Sequence, residues 1–179
     1  MKRFKRSTVK RKLQKVTAIL RKLKVKFEVC GSYRRGKEDS KDIDILCTQE
    51  SIGIAVNEIF RTLDITEKRW EGDWKTSFYL EGLPIDIKVV PEESWGAGLL
   101  HHTGTQAFNI KCRSIAKKKG MLLNEYGLLD RDTREPVVDG TTEEAILGML
   151  FHPMAAAKYS DPKNRELEVP FPGMKKEKA

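Results

Sequence analysis

Three aspartates have the types and spacing of a metal-dependent phosphoryl-transfer site. Asp42 and Asp44 lie two positions apart in Asp-Ile-Asp-Ile-Leu-Cys-Thr, and Asp86 stands in Pro-Ile-Asp-Ile-Lys-Val-Val. Side chains alternate along a β-strand, so Asp42 and Asp44 share one face, and all three carboxylates converge if the two strands are neighbours. Close carboxylates repel one another unless a cation binds them, and their oxygens favour Mg²⁺, with Mn²⁺ as an alternative.

Two such ions can activate an attacking hydroxyl and stabilise a leaving oxygen. By itself, however, an Asp-x-Asp motif also occurs on ordinary exposed strands or as carboxylates paired with lysines. The segment just before the pair, Gly-Ser-Tyr-Arg-Arg-Gly at 31–36, favours the chemical interpretation. Glycine lets the backbone approach a phosphate, the Ser32 hydroxyl and free N–H groups bind phosphate oxygens, and Arg35 can grip a phosphate bidentately. An ordinary basic turn is the alternative.

Hydrophobic periodicity predicts the elements that position these residues. Apolar residues at three- and four-residue steps predict helices at 7–23, 52–63 and 106–119, and Thr141 with Glu144 predicts the N-cap of another. Alternating segments predict strands at 26–30, 42–48, 75–80 and 85–90, with a hairpin connection at 81–84, a loop at 91–98 and short extended pieces at 121–124 and 136–138. The fold class is therefore α+β, with a mixed or antiparallel sheet.

Charge and cysteine usage restrict the partners and the compartment. The 179 residues carry a net charge of +8, and the first 26 contain no acidic residue. This pattern indicates a polyanionic partner, nucleic acid before acidic membrane, although a basic solubilising surface is the alternative. The sequence has no apolar run long enough to predict a membrane span, and its N-terminus lacks the continuous apolar stretch of a signal peptide. Three scattered cysteines, Cys30, Cys47 and Cys112, predict free thiols in a reducing compartment, cytoplasmic or nuclear, and the histidines complete no zinc pattern.

Longer stretches of the sequence resemble the family X DNA polymerases, the polymerase beta-like nucleotidyltransferases. Residues 31–46 resemble the family's phosphate- and metal-binding segment, 102–109 followed by Arg113 its nucleotide-pocket helix, and 122–128 the segment after that helix. The resemblance runs in order from about residue 25 to 169. It implies a nucleotidyltransferase palm at 1–91 that includes the basic N-terminal helix. It also implies a small C-terminal α/β subdomain at 92–174 that selects the nucleotide, called fingers or thumb, and a frayed tail at 175–179.

The resemblance also implies an activity and residue roles. The chain would be a monomeric DNA-directed DNA polymerase that adds dNMP from dNTP to a primer 3′-hydroxyl by a two-metal mechanism, filling short gaps in DNA repair. Asp42 and Asp44 would ligate both metals, and Asp86 would ligate the catalytic metal and help take the primer proton. Nucleotide binding is expected at Gly31, Ser32, Arg35, Ser40, Lys41, His101, His102, Gly104 and Asn109, and DNA binding at Arg113, Lys111 and Lys117.

Several features depart from the family pattern. Few residues precede the first predicted strand, so we expect a minimal form without the N-terminal lyase domain, in which the basic helix supports the palm, grips DNA phosphates, or does both. His101 and His102 stand where the family usually has an aromatic pair, which leaves sugar selection open, and Lys41 stands where glycine is common. Trp70, Trp74 and Trp95 are expected to be packing residues rather than base-stacking platforms.

Two other functions remain open. One is template-independent nucleotide transfer, as in a terminal transferase or an enzyme acting on RNA or a small acceptor. The other is a noncatalytic nucleic-acid-binding module, which the three aspartates argue against because clustered carboxylates repel a DNA backbone. The compact length suits a virus or phage as well as a cell.

Overall fold

A computed structural model describes residues 2–167, which fold into seven α-helices and nine strands. Among these residues, no helix has the length and apolar character needed to cross a membrane. The predicted tail at 175–179 lies outside the described residues. The helices are α1 (Arg6–Lys22), α2 (Gly31–Arg34), α3 (Ile52–Thr62), α4 (Trp95–Thr103), α5 (Gln106–Lys118), α6 (Glu143–Leu150) and α7 (Pro153–Ser160), with 3₁₀ turns at Glu92–Ser94 and Pro162–Arg165. The strands are β1 (Phe4–Lys5), β2 (Phe27–Val29), β3 (Asp39–Ser40), β4 (Ile43–Thr48), β5 (Ile65–Gly72), β6 (Lys75–Leu80), β7 (Leu83–Val90), β8 (Met121–Asn124) and β9 (Gly127–Asp130).

The central sheet has five strands in the order β2-β4-β7-β6-β5. The pairing of β4 with β7 is parallel, and the other three pairings are antiparallel. This confirms the α+β class with a mixed sheet. It also confirms that the two strands carrying the aspartates are neighbours.

Alternation along β4 and β7 separates an apolar face from a polar face. Ile43, Ile45, Ile85 and Ile87 are buried and belong to one core cluster with apolar residues of α1 and α3. Along α1, buried positions recur at helical spacing, while lysines and arginines cover its outer surface. Because alternate residues point to opposite faces, Asp44 and Asp86 project from the side of the sheet away from these two helices.

A second buried cluster fills the C-terminal part. Phe108, Cys112 and Ala116 of α5 pack there with apolar residues of α4, α6 and the β8–β9 hairpin. The first cluster draws on residues 4–89 and the second on residues 97–167. The predicted division at residue 91 falls between them and stays a prediction.

The loop predicted at 91–98 is wrong, because a 3₁₀ turn occupies Glu92–Ser94 and α4 begins at Trp95. Gly96 and Gly98 weaken the helical pattern in the sequence. In the fold, a Cβ atom at Gly96 would lie 2.2 Å from the carbonyl carbon of Thr142, so only glycine permits this close packing. Tertiary contact therefore overrides local propensity here.

Three strand assignments also differ. β5 was not predicted, since its residues after Ile65 are all exposed and lack a hydrophobic alternation. β7 begins two residues earlier than predicted, which leaves a two-residue turn at Glu81 and Gly82 with φ of 49° and 78°. The partner of β8 is β9, and Pro136 makes only an isolated bridge to Leu129.

The predicted N-cap of α6 is displaced by one residue. Thr142, rather than Thr141, caps the helix by accepting a hydrogen bond from the Ala145 backbone N–H. As a result Glu143 becomes the first residue of α6 and is buried.

Candidate active site

The register of β4 against β7 places Asp44 directly beside Asp86. Asp42 lies just before β4 and is exposed, while Asp44 is half-buried. Burial, together with the smaller effects of the Asp42 and Asp86 charges, raises the pKa of Asp44 to about 6 against the opposing effect of Lys88 and Lys75. Asp44 therefore feels the charges of both Asp42 and Asp86, and the convergence of all three carboxylates on a metal stays a prediction.

Asp86 is held by two lysines on the same face of the sheet. Its Oδ2 lies 2.9 Å from Lys88 Nζ and 3.2 Å from Lys75 Nζ. Burial alone would raise the pKa of Asp86, but the Ser77 hydroxyl and the two ammonium groups outweigh it and keep this pKa below its ordinary value. Asp86 is consequently ionised at neutral pH.

The donor set at the aspartates fits a divalent cation in chemistry. Three carboxylates supply the hard oxygens that Mg²⁺ prefers. A Cβ atom at Gly31 would lie 3.1 Å from Asp44 Oδ2, so glycine leaves this oxygen accessible. Within residues 2–167, no three acidic, histidine or cysteine side chains lie close enough to hold a metal as they stand. A cation would have to replace the lysines at Asp86, and the metal-binding roles of the three aspartates stay predictions.

The glycine-serine segment forms a single helical turn between β2 and the aspartates. Gly31 has φ of 59°, a conformation that glycine adopts without strain, and α2 starts there. Ser32 Oγ donates a hydrogen bond to Ser40 Oγ at 2.9 Å, and Ser40 is buried in β3. The turn is thus tied to the strand that precedes Asp42.

Arg35 is oriented by the C-terminal part of the chain. Its Nε donates to Glu166 Oε1 at 2.6 Å, and its Nη1 donates to the Thr103 carbonyl oxygen. Lys37 Nζ lies 3.5 Å from the other carboxylate oxygen of Glu166. Arg35, which the sequence predicts to bind a phosphate, therefore binds the Glu166 carboxylate in this structure.

An open cavity of about 530 Å³ joins these groups. It brings together most of the predicted site residues and adds five that sequence reasoning missed. Thr105 had a recognisable signal, since it caps α5 by accepting the Phe108 N–H, whereas Arg3 is one of many basic residues near the N-terminus and pairs with Asp39. The predicted lining residues are Gly31, Ser32, Arg35, Lys41, Asp42, Asp44, His101, His102, Gly104, Asn109 and Arg113, and the additional ones are Arg3, Lys37, Thr103, Thr105 and Gln106.

The two histidines form one wall of the cavity. Their rings meet edge to face with centroids 4.8 Å apart. Burial, with smaller contributions from His101 and Lys88, lowers the pKa of His102 to about 3. Burial also lowers the pKa of His101, whose carbonyl oxygen accepts a hydrogen bond from Asn109 Nδ2 at 2.7 Å. His102 is therefore neutral at physiological pH and presents an uncharged ring.

Four predicted site residues do not line the cavity. Asp86 and Ser40 contact residues that line it: Asp86 lies beside Asp44, and Ser40 accepts a hydrogen bond from Ser32. Lys111 Nζ donates to the Tyr159 hydroxyl at 2.8 Å and lies over aromatic rings, and Lys117 lines a separate cavity of about 270 Å³ together with Arg113. The DNA-binding roles of Lys111 and Lys117 stay predictions.

A buried ion-pair network, which the sequence did not reveal, connects α2 to the C-terminal part. Arg34 donates to both carboxylate oxygens of Glu143 at 3.0 and 2.7 Å, and Arg165 Nη1 donates to Glu143 Oε1 at 2.7 Å. Arg34 also donates to Thr103 Oγ1 at 2.8 Å. This network, which we call the arginine–glutamate bridge, fixes the glycine-serine turn against α4 and α6.

Comparisons with known proteins match both parts of the chain. Residues 3–72 match the family described as DNA polymerase beta palm, and residues 98–166 match DNA polymerase beta thumb. Over 114 residues, 62% of this chain, it is 32% identical to DNA polymerase/3′-5′ exonuclease PolX of Bacillus subtilis, covering 20% of that protein. It is 33% identical over 119 residues, 55% of this chain, to DNA polymerase lambda of Rattus norvegicus, covering 21% of that protein. The chain thus spans about a fifth of the length of these relatives.

Proposed function

The chain belongs to the DNA polymerase beta family, and from this membership we propose that it is a DNA-directed DNA polymerase that adds dNMP from dNTP to a primer 3′-hydroxyl. Its α+β architecture is that of the nucleotidyltransferase palm. The observation that carries the proposal is the parallel β4–β7 pairing, which sets Asp44 beside Asp86 at the edge of a basic cavity. We further propose that the reaction fills short gaps in DNA repair.

Asp42, Asp44 and Asp86 are the residues that would hold Mg²⁺ or Mn²⁺. When bound, the ions would supply positive charge to the phosphates and to the attacking and leaving oxygens. This role suits the half-buried Asp44, whose raised pKa reflects burial and like charges that a cation would neutralise.

The phosphates of the dNTP would lie along the glycine-serine turn. Gly31 and Ser32 line the cavity, and Arg35 and Lys37 add positive charge there. Ser40 would support Ser32 through their hydrogen bond. Arg35 would release the Glu166 carboxylate and bind a phosphate in its place, because each group can accept two parallel hydrogen bonds from a guanidinium.

Asp86 would accept the proton of the primer 3′-hydroxyl. Its pKa lies below the ordinary value, so the carboxylate is available as an acceptor at neutral pH. Lys75 and Lys88 must release its Oδ2 oxygen for that step. The O–H bond of the primer hydroxyl would break as the new phosphodiester bond forms and pyrophosphate departs.

The far wall of the cavity would select the nucleotide. Gly104 lets the sugar and base lie against the backbone, His101 and His102 face the sugar, and Asn109 contacts the base edge. Arg113, exposed on α5, would contact the template strand. Both histidines are smaller and more polar than the aromatic pair usual in the family.

The test is single-nucleotide addition to a primer in a one-nucleotide gap, with each dNTP supplied separately and Mg²⁺ present. We expect incorporation of the complementary nucleotide, and we expect Asp86→Ala to abolish it while binding of the gapped duplex persists. Asp132→Ala, at an exposed aspartate, is the matched control and should remain active. Substantial incorporation by Asp86→Ala would contradict the proposal, and equal incorporation of all four nucleotides would show template-independent transfer instead.

A further inference from the structure

The separate cavity of about 270 Å³ lies between α5 and the β8–β9 hairpin, and cationic side chains surround it. Its lining contains no acidic residue, and its four cations, all of them exposed, are Arg113, Lys117, Arg131 and Arg134. Clustered like charges repel one another, so such a set becomes favourable when an anion lies between its members. We call this site the cationic cavity.

The four cations form no ion pair with a carboxylate within residues 2–167. The carboxylates of the C-terminal part that do form ion pairs have other partners, and they are Glu125, Glu143 and Glu166. Asp130 precedes Arg131, but its Oδ1 atom accepts hydrogen bonds from two backbone N–H groups of the turn that follows. No ion pair within the described part of the chain therefore balances the charge of the cationic cavity.

The turn after β9 holds two of these cations in place. The Arg131 N–H donates to the Gly120 carbonyl oxygen at 3.1 Å, which ties the turn to the end of α5. The Arg134 N–H donates to the Asp130 carbonyl oxygen at 3.0 Å, and Arg134 has φ of 65°, which residues other than glycine adopt rarely. Backbone hydrogen bonds therefore fix the positions from which both arginine side chains extend.

The rest of the lining is apolar and comes from β8. Met121 and Leu123 belong to the C-terminal core cluster, whereas Leu122 is half-buried. An apolar surface bordered by cations matches the backbone of DNA in chemistry, because deoxyribose rings are largely hydrocarbon and phosphates are anionic. The cationic cavity thus suits a sugar-phosphate strand better than a small inorganic anion.

The cationic cavity adjoins the candidate active site, because Arg113 lines both cavities. Asn109, Arg113 and Lys117 recur at four-residue steps, so they follow one side of α5 over about 12 Å. In the proposed function, Asn109 contacts the base of the incoming nucleotide and Arg113 contacts the template strand. This side of α5 therefore leads from the nucleotide, past its base, to the cationic cavity, which places that cavity on the template side.

We propose that the cationic cavity binds the backbone of the template strand, with its cations on successive phosphates and Leu122 against a deoxyribose. This inference rests on the proposed function, which supplies the strand. Contacts to phosphate and sugar carry no sequence information, so the cavity would hold any template in register without reading its bases. The template bases remain paired with the primer, because only their backbone is bound.

The experiment measures equilibrium binding of the full chain to a fluorescently labelled gapped duplex by anisotropy. It is done in EDTA without dNTP, over a series of salt concentrations. The test variant combines Arg131→Gln with Arg134→Gln. The matched control combines Lys118→Gln with Lys158→Gln, which removes the same charge from exposed positions of the C-terminal part that line neither cavity.

Each phosphate contact contributes about 0.9 to the slope of log K against log salt concentration. We therefore expect the test variant to reduce this slope by about 2 and to weaken binding at least about tenfold, whereas the control should change the slope by less than about 0.5. Lys117→Gln, on the α5 side of the cavity, should reduce the slope by about 1. Leu122→Ala should weaken binding without changing the slope, because it removes apolar contact and no charge.

Neutral linkages in the DNA identify the strand that is bound. Uncharged methylphosphonates in the template strand should remove most of the loss caused by the test variant, because either change alone already removes the same contacts. The same linkages in the primer strand should leave that loss unchanged. Circular dichroism of each variant confirms that it is folded.

Three results would overturn the inference. The first is a salt slope of the test variant equal to that of the control, and the second is a loss that only primer-strand methylphosphonates remove. The third is a test variant that loses affinity for free tripolyphosphate in calorimetry but keeps its affinity for DNA, which would indicate a small-anion site. Failure of the proposed function is separate, because it would appear as absent nucleotide addition in the gap assay while the dependence on template linkages remained measurable.

Discussion

Asp42, Asp44 and Asp86, which we call the aspartate row, and the arginine–glutamate bridge both bring charged groups close together, but they balance the charge in opposite ways. In the aspartate row, three like charges share one face, and burial raises the pKa of Asp44 to about 6. In the bridge, Glu143 lies between two arginines that donate three hydrogen bonds to it. Two lysines pair with Asp86, but Asp44 has no ion pair among residues 2–167, whereas the bridge pairs Glu143 fully within the chain.

This difference distinguishes residues suited to bind a ligand from residues that stabilise the fold. Carboxylates held close together cost folding free energy, and they are useful only if a ligand of opposite charge repays that cost on binding. A buried ion pair costs desolvation but becomes strongly stabilising against the loss of either partner. We therefore expect substitutions in the aspartate row to remove activity and leave the fold intact, and substitutions in the bridge to do the reverse.

The largest effect is expected for Asp44→Asn. Nucleotide addition should fall by at least about a thousandfold, as when a main electrostatic contributor to catalysis is lost. The melting temperature of the metal-free protein at pH 8 should rise, because a repelled, half-buried charge is removed. Gap-filling rates and thermal melts in EDTA measure the two effects, with Asp132→Asn as the control. A fall in melting temperature would show that Asp44 stabilises the fold and would break the comparison.

Glu143→Gln should destabilise the protein by about 3–5 kcal/mol, because the buried Arg165 and Arg34 guanidinium groups lose their counter-charge. Arg165 is 0% exposed, so water cannot replace the carboxylate. Urea unfolding followed by circular dichroism measures the change. Any Glu143→Gln protein that is folded at low temperature should retain nucleotide addition within about tenfold. A stable but inactive variant would place Glu143 in the reaction instead.

We expect the free energy of unfolding of the metal-free protein to change with pH by about 1–3 kcal/mol because of Asp44. Each pKa unit is worth about 1.4 kcal/mol, and the remaining solvent contact of Asp44 reduces the effect. The folded pKa, about 6, lies above the ordinary value of 3.8. The folded state therefore binds the proton more tightly, and this contribution is full below pH 3.8 and lost as pH rises through 6. The stability advantage of Asp44→Asn over the original chain should shrink from pH 8 to pH 5. An advantage independent of pH would contradict this origin.

The smallest effect is expected at an exposed ion pair. Glu58 and Arg61 lie one turn apart on α3, and the Arg61 side chain is 72% exposed. Glu58→Gln should change the free energy of unfolding by less than about 1 kcal/mol, because solvent screens the pair. Urea unfolding beside Glu143→Gln provides the measurement. A loss as large as that of Glu143→Gln would mean that burial does not explain the strength of the bridge.

The sequence was sufficient to predict those helices and strands whose hydrophobic pattern lies within the element itself. Alternation around Asp44 and Asp86 predicted β4 and most of β7, and helical spacing predicted α1, α3 and α5. It failed where neighbours override local preference. α4 contains two glycines that pack against the Thr142 backbone and against Leu46 and Val90, and β5 has no buried face to give it a pattern.

At the candidate site, residue types were predictable but partners were not. The glycine-serine turn and the aspartates could be predicted from residue type and spacing, and the histidines from the resemblance to the family X polymerases. The sequence did not show that Arg35 is held by Glu166, that Lys88 holds Asp86, or that Lys111 donates a hydrogen bond to the Tyr159 hydroxyl. These contacts decide which charges are free to meet a ligand.

The sequence by itself determined which chemical groups the chain carries and on which face of each strand or helix they stand, because those properties follow from the period of the backbone. Only the tertiary structure decided that β4 and β7 pair in parallel with Asp44 beside Asp86, that Glu143 joins two arginines, and that Trp70 and Trp74 are exposed rather than packed as predicted. Each of these depends on contacts between residues far apart in the chain, where no local periodicity specifies the partner.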